Sequence, residues 1–374
     1  MLLFLNEQRL NKLTLEDVAN YQQRFPNILD IELPSIIQNT SDIKQKSGAN
    51  NYASLAPYYH PNSDTETGFP YVRRDGVRNP IAAETTDNKY LSKLYQIVIP
   101  CSLLYHLTHS EDYSIKAIAA ISKFFIDENT KMNPSLTYSG MVIGDSMEDL
   151  RIRGAIIDTN NLSILPDFIQ LLRPSLHWTS EIENGMALWF DSLADWFKTN
   201  PRGILQSGYS HNIKTSYMKQ LCSYLYACGK EIEARTYLEN NLRDLLSVQI
   251  DSNGNQILEM DRAINRNYSN FNLALLVNLC IMSASLGVDV WNYEDNEGRG
   301  SIKKAMKYLC YYYNHPEEWT FSDETSNNPA ITRKWLQAGV EIYDDELLSS
   351  TMNSINPYTP LSMPDYVSLP SRLY

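Results

Sequence analysis

The chain has 374 residues, of which 43% are hydrophobic and 20% charged, so a large buried core is available and an intrinsically disordered chain is excluded. Its 32 Lys and Arg stand against 44 Asp and Glu, a net charge of −12, which argues against a general nucleic-acid binder with a basic footprint. It leaves room for an anionic ligand in a local basic pocket, and length alone sets a prior of two or three domains.

The first forty residues predict a helix and an irregular leading segment. Met1–Leu5 is apolar, but it is too short for a secretory h-region and has no basic flank, so no signal peptide is expected in this chain and its location is left open. Residues 47–80 form a loop region rich in Asn, Pro, Ser, Gly and Tyr. From Lys89 the pattern is helical, with apolar faces over 89–110 and 113–127. Ser180 with Glu183 three residues on predicts a capping box. The stripe Ile182, Met186, Trp189, Phe190, Leu193 and Phe197 follows and stops near Asn200-Pro201.

Asn212 is the predicted N-cap of the next helix, whose stripe is Tyr217, Leu221, Leu225 and Cys228 and whose stop is Gly229. Residues 231–246 predict an antiparallel partner, and Asn253-Gly254 a turn. Residues 268–286, 301–313 and 329–348 complete the helical set, and a Pro-rich irregular tail is expected over 351–374. Strand signals are few, and no stretch after Lys89 has the composition of a domain boundary. One helical domain over 45–350, a ring of hairpins preceded by a segment 1–44, is favoured. No apolar run approaches the length of roughly 18–20 residues that a membrane span needs. Five scattered cysteines and no Cys-x-x-Cys pair argue against disulfides or zinc.

Phosphate loops and Gly-x-Ser-x-Gly elbows are absent. His106 and His109 share a spacing that metals use, but no third ligand accompanies them, and no metal or cofactor is expected. Two groups remain. In 51–80, Arg73, Arg74 and Arg78 lie among Tyr52, Tyr58, Tyr59 and Tyr71. Guanidinium forks suit carboxylates and aromatic faces suit sugar rings. The stretch reads equally as a loop over an acidic sugar polymer or as a structural loop pairing with surface acids. The second group is split between SHNIKTSYMKQ (210–220) and EMDRAINRNYSNFNL (259–273). Each places polar residues near the start of an apolar helix, as capping and surface groups or as parts of one cleft.

Six ordered blocks over residues 45–350 resemble the alginate lyase family of polysaccharide lyases, including relatives acting on glucuronan-type polymers. They are SLAPYYHPN…GFPYVRRDGVRNP, Arg153-Gly-Ala-Ile-Ile-Asp-Thr159, Trp189-Phe190 with Trp196, Gln249-Ile-Asp-Ser-Asn-Gly254, Arg262…Tyr268-Ser269, and Val288-Asp-Val-Trp-Asn-Tyr293. The resemblance implies an all-α incomplete toroid of helical hairpins with a central cleft. It also implies metal-independent β-elimination on β-1,4-linked uronate polymers, with an acidic polysaccharide as partner, no nucleic acid or membrane, and a monomer. Family members are usually periplasmic or secreted.

The family's Asn-Asn-His-Gly-Thr-Trp-Tyr-x-x-Gln motif is similar to residues 211–220, with Asn212, Thr215, Tyr217 and Gln220 matching. Asn212 and Arg262 are implied to hold the substrate carboxylate, and Tyr268 to transfer protons. Ile213 stands where the family has its catalytic histidine, Ser216 where it has Trp, and Asn267 where a His precedes the Tyr. Three outcomes stay open: Tyr268 serves as both base and acid, His211 replaces the imidazole from the preceding loop, or the chain is a non-catalytic uronate binder. A tyrosine base needs a cationic neighbour, for which Arg262, Arg266 and Lys214 are candidates. Arg73, Arg74, Arg78, Tyr71, Lys214, Tyr217 and Arg266 are the expected substrate-binding residues. A positive groove on a negative body is anticipated.

Overall fold

Apolar residues at helical spacing govern most of the chain. In the computed structural model, which describes residues 1–5, 7–11, 13–322 and 329–355, the protein is accordingly mostly helical, with a few short strands. Its described residues divide into two compact units. One comprises residues 7–206 and 227–229, the other residues 1–5, 207–226 and those from 230 onward. Most of the Pro-rich tail lies outside the described residues.

The first unit carries α1 (Glu7–Leu10), α2 (Leu15–Gln23), α3 (Asp42–Ser47), α4 (Pro80–Thr85), α5 (Asn88–Thr108), α6 (Glu111–Ile121), α7 (Leu165–Leu172), α8 (Ser180–Thr199) and α9 (Pro201–Ser207). The buried face of α8 is the predicted aromatic stripe. Trp189 packs edge-on against Phe125, with ring centroids 4.5 Å apart, and donates its indole N–H to the Met132 carbonyl at 2.7 Å. The cap of α8 is one residue earlier than predicted. Thr179 accepts from Ile182 N, while Glu183 is drawn into bonds with Arg173 and the Trp178 indole instead of closing a capping box.

The loop region 47–80 contains strands that its composition concealed. β1 (Ala53–Leu55) runs parallel to β4 (Tyr138–Ile143), which pairs antiparallel with β5 (Leu150–Arg151). β2 (Tyr59–His60) pairs antiparallel with β3 (Val72–Arg73). A small core of Ile43, Ala53, Leu55, Ala82, Met141 and Ile143 supports them, with Phe69 and Tyr71 packed against it. A buried ion pair anchors this region to the start of α5. Lys44 Nζ lies 2.7 Å from Asp87 Oδ2, and Asp87 also accepts from Ala53 N and Asn39 Nδ2. Every polar atom of that carboxylate is thereby engaged, which offsets the cost of burying the charge.

The second unit contains α10 (Asn212–Ala227), α11 (Glu231–Gln249), α12 (Asn265–Ser285), α13 (Ile302–Asn314), α14 (Pro329–Tyr343) and α15 (Glu346–Ser354). The predicted helix over 329–348 is two helices, parted at Asp344, whose φ is +45°. The Asn253-Gly254 turn forms. Gly254 has φ +92°, and a Cβ there would meet the Lys304 carbonyl at 2.3 Å, so the position requires glycine on both counts. Leu2–Leu5 is buried in this unit, tied by Tyr226 Oη and Ser285 Oγ to the carbonyls of Met1 and Leu3.

Candidate active site

Beside the apolar residues of α10, α11 and α12 runs a chain of buried polar side chains. Thr215 Oγ1 lies 3.1 Å from Gln249 Oε1 and 3.0 Å from Asn272 Oδ1. Asn272 Nδ2 donates to Gln249 Oε1 and to Gln256 Oε1, and Gln249 Nε2 donates to the Ser210 carbonyl at 2.8 Å. A polar interior on this scale is tolerable because its members satisfy one another. Its effect is to tie the loop before α10 to the end of α11 and to Asn272 within α12.

Asn212 is the first residue of α10, not its cap. His211 lies outside the helix, its carbonyl accepting from Lys214 N at 2.7 Å and its Nδ1 from Ile213 N at 3.4 Å. That places His211 in the preceding loop, the position from which an imidazole is free of the helical register; its ring packs against Tyr209, centroids 5.1 Å apart. The Asn212 side chain is buried against Glu259. Asn212 N donates to Glu259 Oε1 at 2.9 Å, and Asn212 Nδ2 lies 3.0 Å from Oε1 and 2.8 Å from Oε2. Burial raises the Glu259 pKa above the usual carboxylate value, while the Asn212 bonds and then the Arg262 charge pull it back.

Two successive turns carry Glu259 and Arg262, with Arg262 N donating to the Glu259 carbonyl, and Tyr268 follows in the first turn of α12. The Arg262 guanidinium lies 3.5 Å from the centroid of the Tyr268 ring, stacked on its face. Both side chains are half-buried. Asn212 thus holds a carboxylate whose pKa the Arg262 charge lowers, and Arg262 in turn lies over the Tyr268 ring. Glu259 was not singled out by the sequence reading. Its sequence signal was weak, an acid in the stretch Glu259-Met-Asp-Arg262 that also holds Asp261, and burial gives it weight.

The other expected residues of this unit have separate tasks. Arg266 is buried, donates to the Tyr312 carbonyl and lies over Trp319, so it works in the core rather than on a surface open to substrate. Tyr217 is likewise in the interior of α10, and burial pushes its hydroxyl up to about 12. Lys214 Nζ donates to the Ser207 carbonyl at 2.8 Å and sits over the Tyr217 ring. Of the candidate cations, Arg262 lies on the Tyr268 ring.

In the first unit the arginine-rich loop is built on β2 and β3. Tyr59 is in register with Arg73, and Arg153 Nη1 donates to Tyr59 Oη at 3.1 Å with its guanidinium over the ring. Arg73 and Arg74 are exposed, Arg73 pairing with Asp75 at 2.8 Å. Arg78 is exposed as well, and its charge helps to offset the burial that raises the Asp158 pKa. Tyr71 is half-buried against Phe69 and the small core. Arg153, part of the Arg153–Thr159 block in sequence, joins this cluster through its stacking on Tyr59.

The sequence profile of the alginate lyase family matches residues 35–319, a span that runs through both units. The chain belongs to the alginate lyase family. Its fold is similar to that of an alginate lyase from Bacteroides ovatus, with a TM-score of 0.88, 24% identity, and 98% of this chain and 99% of that one covered. It is also similar to alginate lyase A1-III from Sphingomonas species A1, with a TM-score of 0.54, 13% identity and 89% and 88% covered. A variant of A1-III complexed with a tetrasaccharide gives a TM-score of 0.56 at 13% identity, covering 88% of each chain. No curated protein sequence matches the chain. Among the described residues there is no group of three or more His, Cys, Asp and Glu placed to hold a metal ion, and no helix long and apolar enough to cross a membrane.

Proposed function

We propose that this member of the alginate lyase family cleaves β-1,4-linked uronate polymers, alginate, polymannuronate or glucuronan, by metal-independent β-elimination in the cleft of an α/α toroid. Asn212 and Arg262 neutralise the substrate carboxylate, which makes the neighbouring C5 proton acidic. Tyr268 removes that proton and returns one to the departing O4, leaving an unsaturated sugar. The observation that carries this reading is the Arg262 guanidinium 3.5 Å from the Tyr268 ring centroid, since a cation against the ring is what a tyrosinate base requires. His211, in the loop before α10, is the candidate to supplement Tyr268 where Ile213 cannot. Arg73, Arg74, Arg78 and Tyr71 bind flanking uronates, and Lys214, Tyr217 and Arg266 act behind the site by holding its helices. The protein acts as a monomer.

The assay is ultraviolet absorbance of the unsaturated product on alginate, polymannuronate and glucuronan. Activity unchanged in Tyr268→Phe would refute the mechanism. A second reading, a uronate-binding protein without catalysis, draws on Ile213, which can neither neutralise a carboxylate nor carry a proton. Calorimetric binding of oligouronate with no product formed would favour it.

A further inference from the structure

The Asn212–Glu259 contact does more than its position at a helix start demands. The bond from Asn212 N to Glu259 Oε1 would by itself satisfy one of the free N–H groups at the beginning of α10. The carboxylate goes on to take the side-chain amide with both oxygens, 3.0 and 2.8 Å from the same nitrogen. Two oxygens of one carboxylate that close to one nitrogen share a single N–H. A primary amide has a second, and it points away.

We propose that Glu259 is a positioning residue of the uronate site: its carboxylate fixes the Asn212 amide nitrogen-inward, so that the second N–H is a preset donor to the substrate carboxylate. This rests on the lyase reading above. The two ends of an asparagine amide are alike in size, so packing does not choose between them. An ionised carboxylate can only accept, and therefore admits one orientation. A neutral glutamine at the same place can accept or donate and would admit both. Burying an acid is costly, and burial does push the Glu259 pKa upward. The Asn212 bonds and the Arg262 charge offset that cost, so the residue that orients Asn212 also attracts the second carboxylate-handling group. With Ile213 offering no donor of its own, the orientation of the neighbouring amide carries more of the carboxylate's neutralisation.

The test is a double-mutant cycle on the full chain with Asn212→Ala, Glu259→Gln and the pair together, each checked for an unchanged thermal unfolding transition. A residue that acts through Asn212 has nothing to act on once Asn212 is gone, whereas a general structural role would lower both backgrounds alike. Glu259→Gln is expected to lower kcat about tenfold with little change in KM, and to cost nothing further in the Asn212→Ala background. If Glu259→Gln does not fold, Glu259→Asp, which keeps an acceptor-only group at shorter reach, takes its place in the cycle. Multiplying losses, or a Glu259→Gln protein as active as the parent, would overturn the proposal. If the parent binds oligouronate without cleaving polymer, the same cycle is read on the binding constant. A parent that neither cleaves nor binds any of the three polymers refutes the lyase reading itself, a result distinct from an additive cycle in an active parent.

Discussion

The arginine loop of the first unit and the polar centre of the second use the same kinds of side chain in opposite ways. Arg73 and Arg74 project from a two-stranded ribbon into solvent, and the ion pair with Asp75 leaves the Arg73 side chain 54% exposed. Arg262 is stacked on a ring, its charge lowering the pKa of the buried Glu259, and Asn212 is held to Glu259 by three contacts. Exposed guanidiniums are screened by salt and contribute attraction that tolerates movement. Groups fixed before the substrate arrives stabilise developing charge without a reorganisation cost. On the proposed reading, one region gathers an anionic chain and the other acts on one of its carboxylates.

The largest effect expected from this contrast is at Tyr268. Removing its hydroxyl in Tyr268→Phe should lower kcat by at least about a thousandfold while oligouronate binding, followed by calorimetry, survives. Arg262→Lys comes next. It keeps the charge but loses the planar group that covers the ring, and kcat/KM should fall about a hundredfold. Equal activity would show that charge alone, not stacking, matters there. In the loop, Arg73→Ala with Arg74→Ala should raise KM about tenfold and leave kcat near its parent value, and the difference should shrink as salt is raised. A loss in kcat instead would erase the division of labour. Arg78 is left out of that pair because its charge also serves Asp158.

The smallest effect concerns stability. Lys219 is buried on α10, and burial, helped by the Lys334 charge, pushes its amine down to about 7. Its folded value lies below its unfolded one, so the charged form is what folding disfavours. The penalty is complete below pH 7, where both states are protonated, and is relieved as pH rises toward the unfolded value. Lys219→Met should therefore stabilise the protein, by about 1.4 kcal/mol or more at pH 6 and by less at pH 9, measured by denaturant midpoints at both.

Much of this could be read along the chain. The helical class, the α8 stripe, the Asn253-Gly254 turn and the family all follow from local pattern or ordered motifs, because periodicity and turn chemistry are properties of neighbouring residues. Asn212, Arg262 and Tyr268 were legible as candidates for the same reason. The strands in 47–80 were not, since β1 finds its partner in β4, more than eighty residues further on. Glu259 was not, since an acid in a polar stretch looks like surface until burial and the Asn212 contacts are seen. Nor could sequence assign Arg266 and Tyr217 to the interior, or choose Arg262 over Arg266 and Lys214 as the neighbour of Tyr268. Those outcomes depend on which helix faces meet across long separations, and on where a side chain must find its hydrogen-bond partner once water has been excluded.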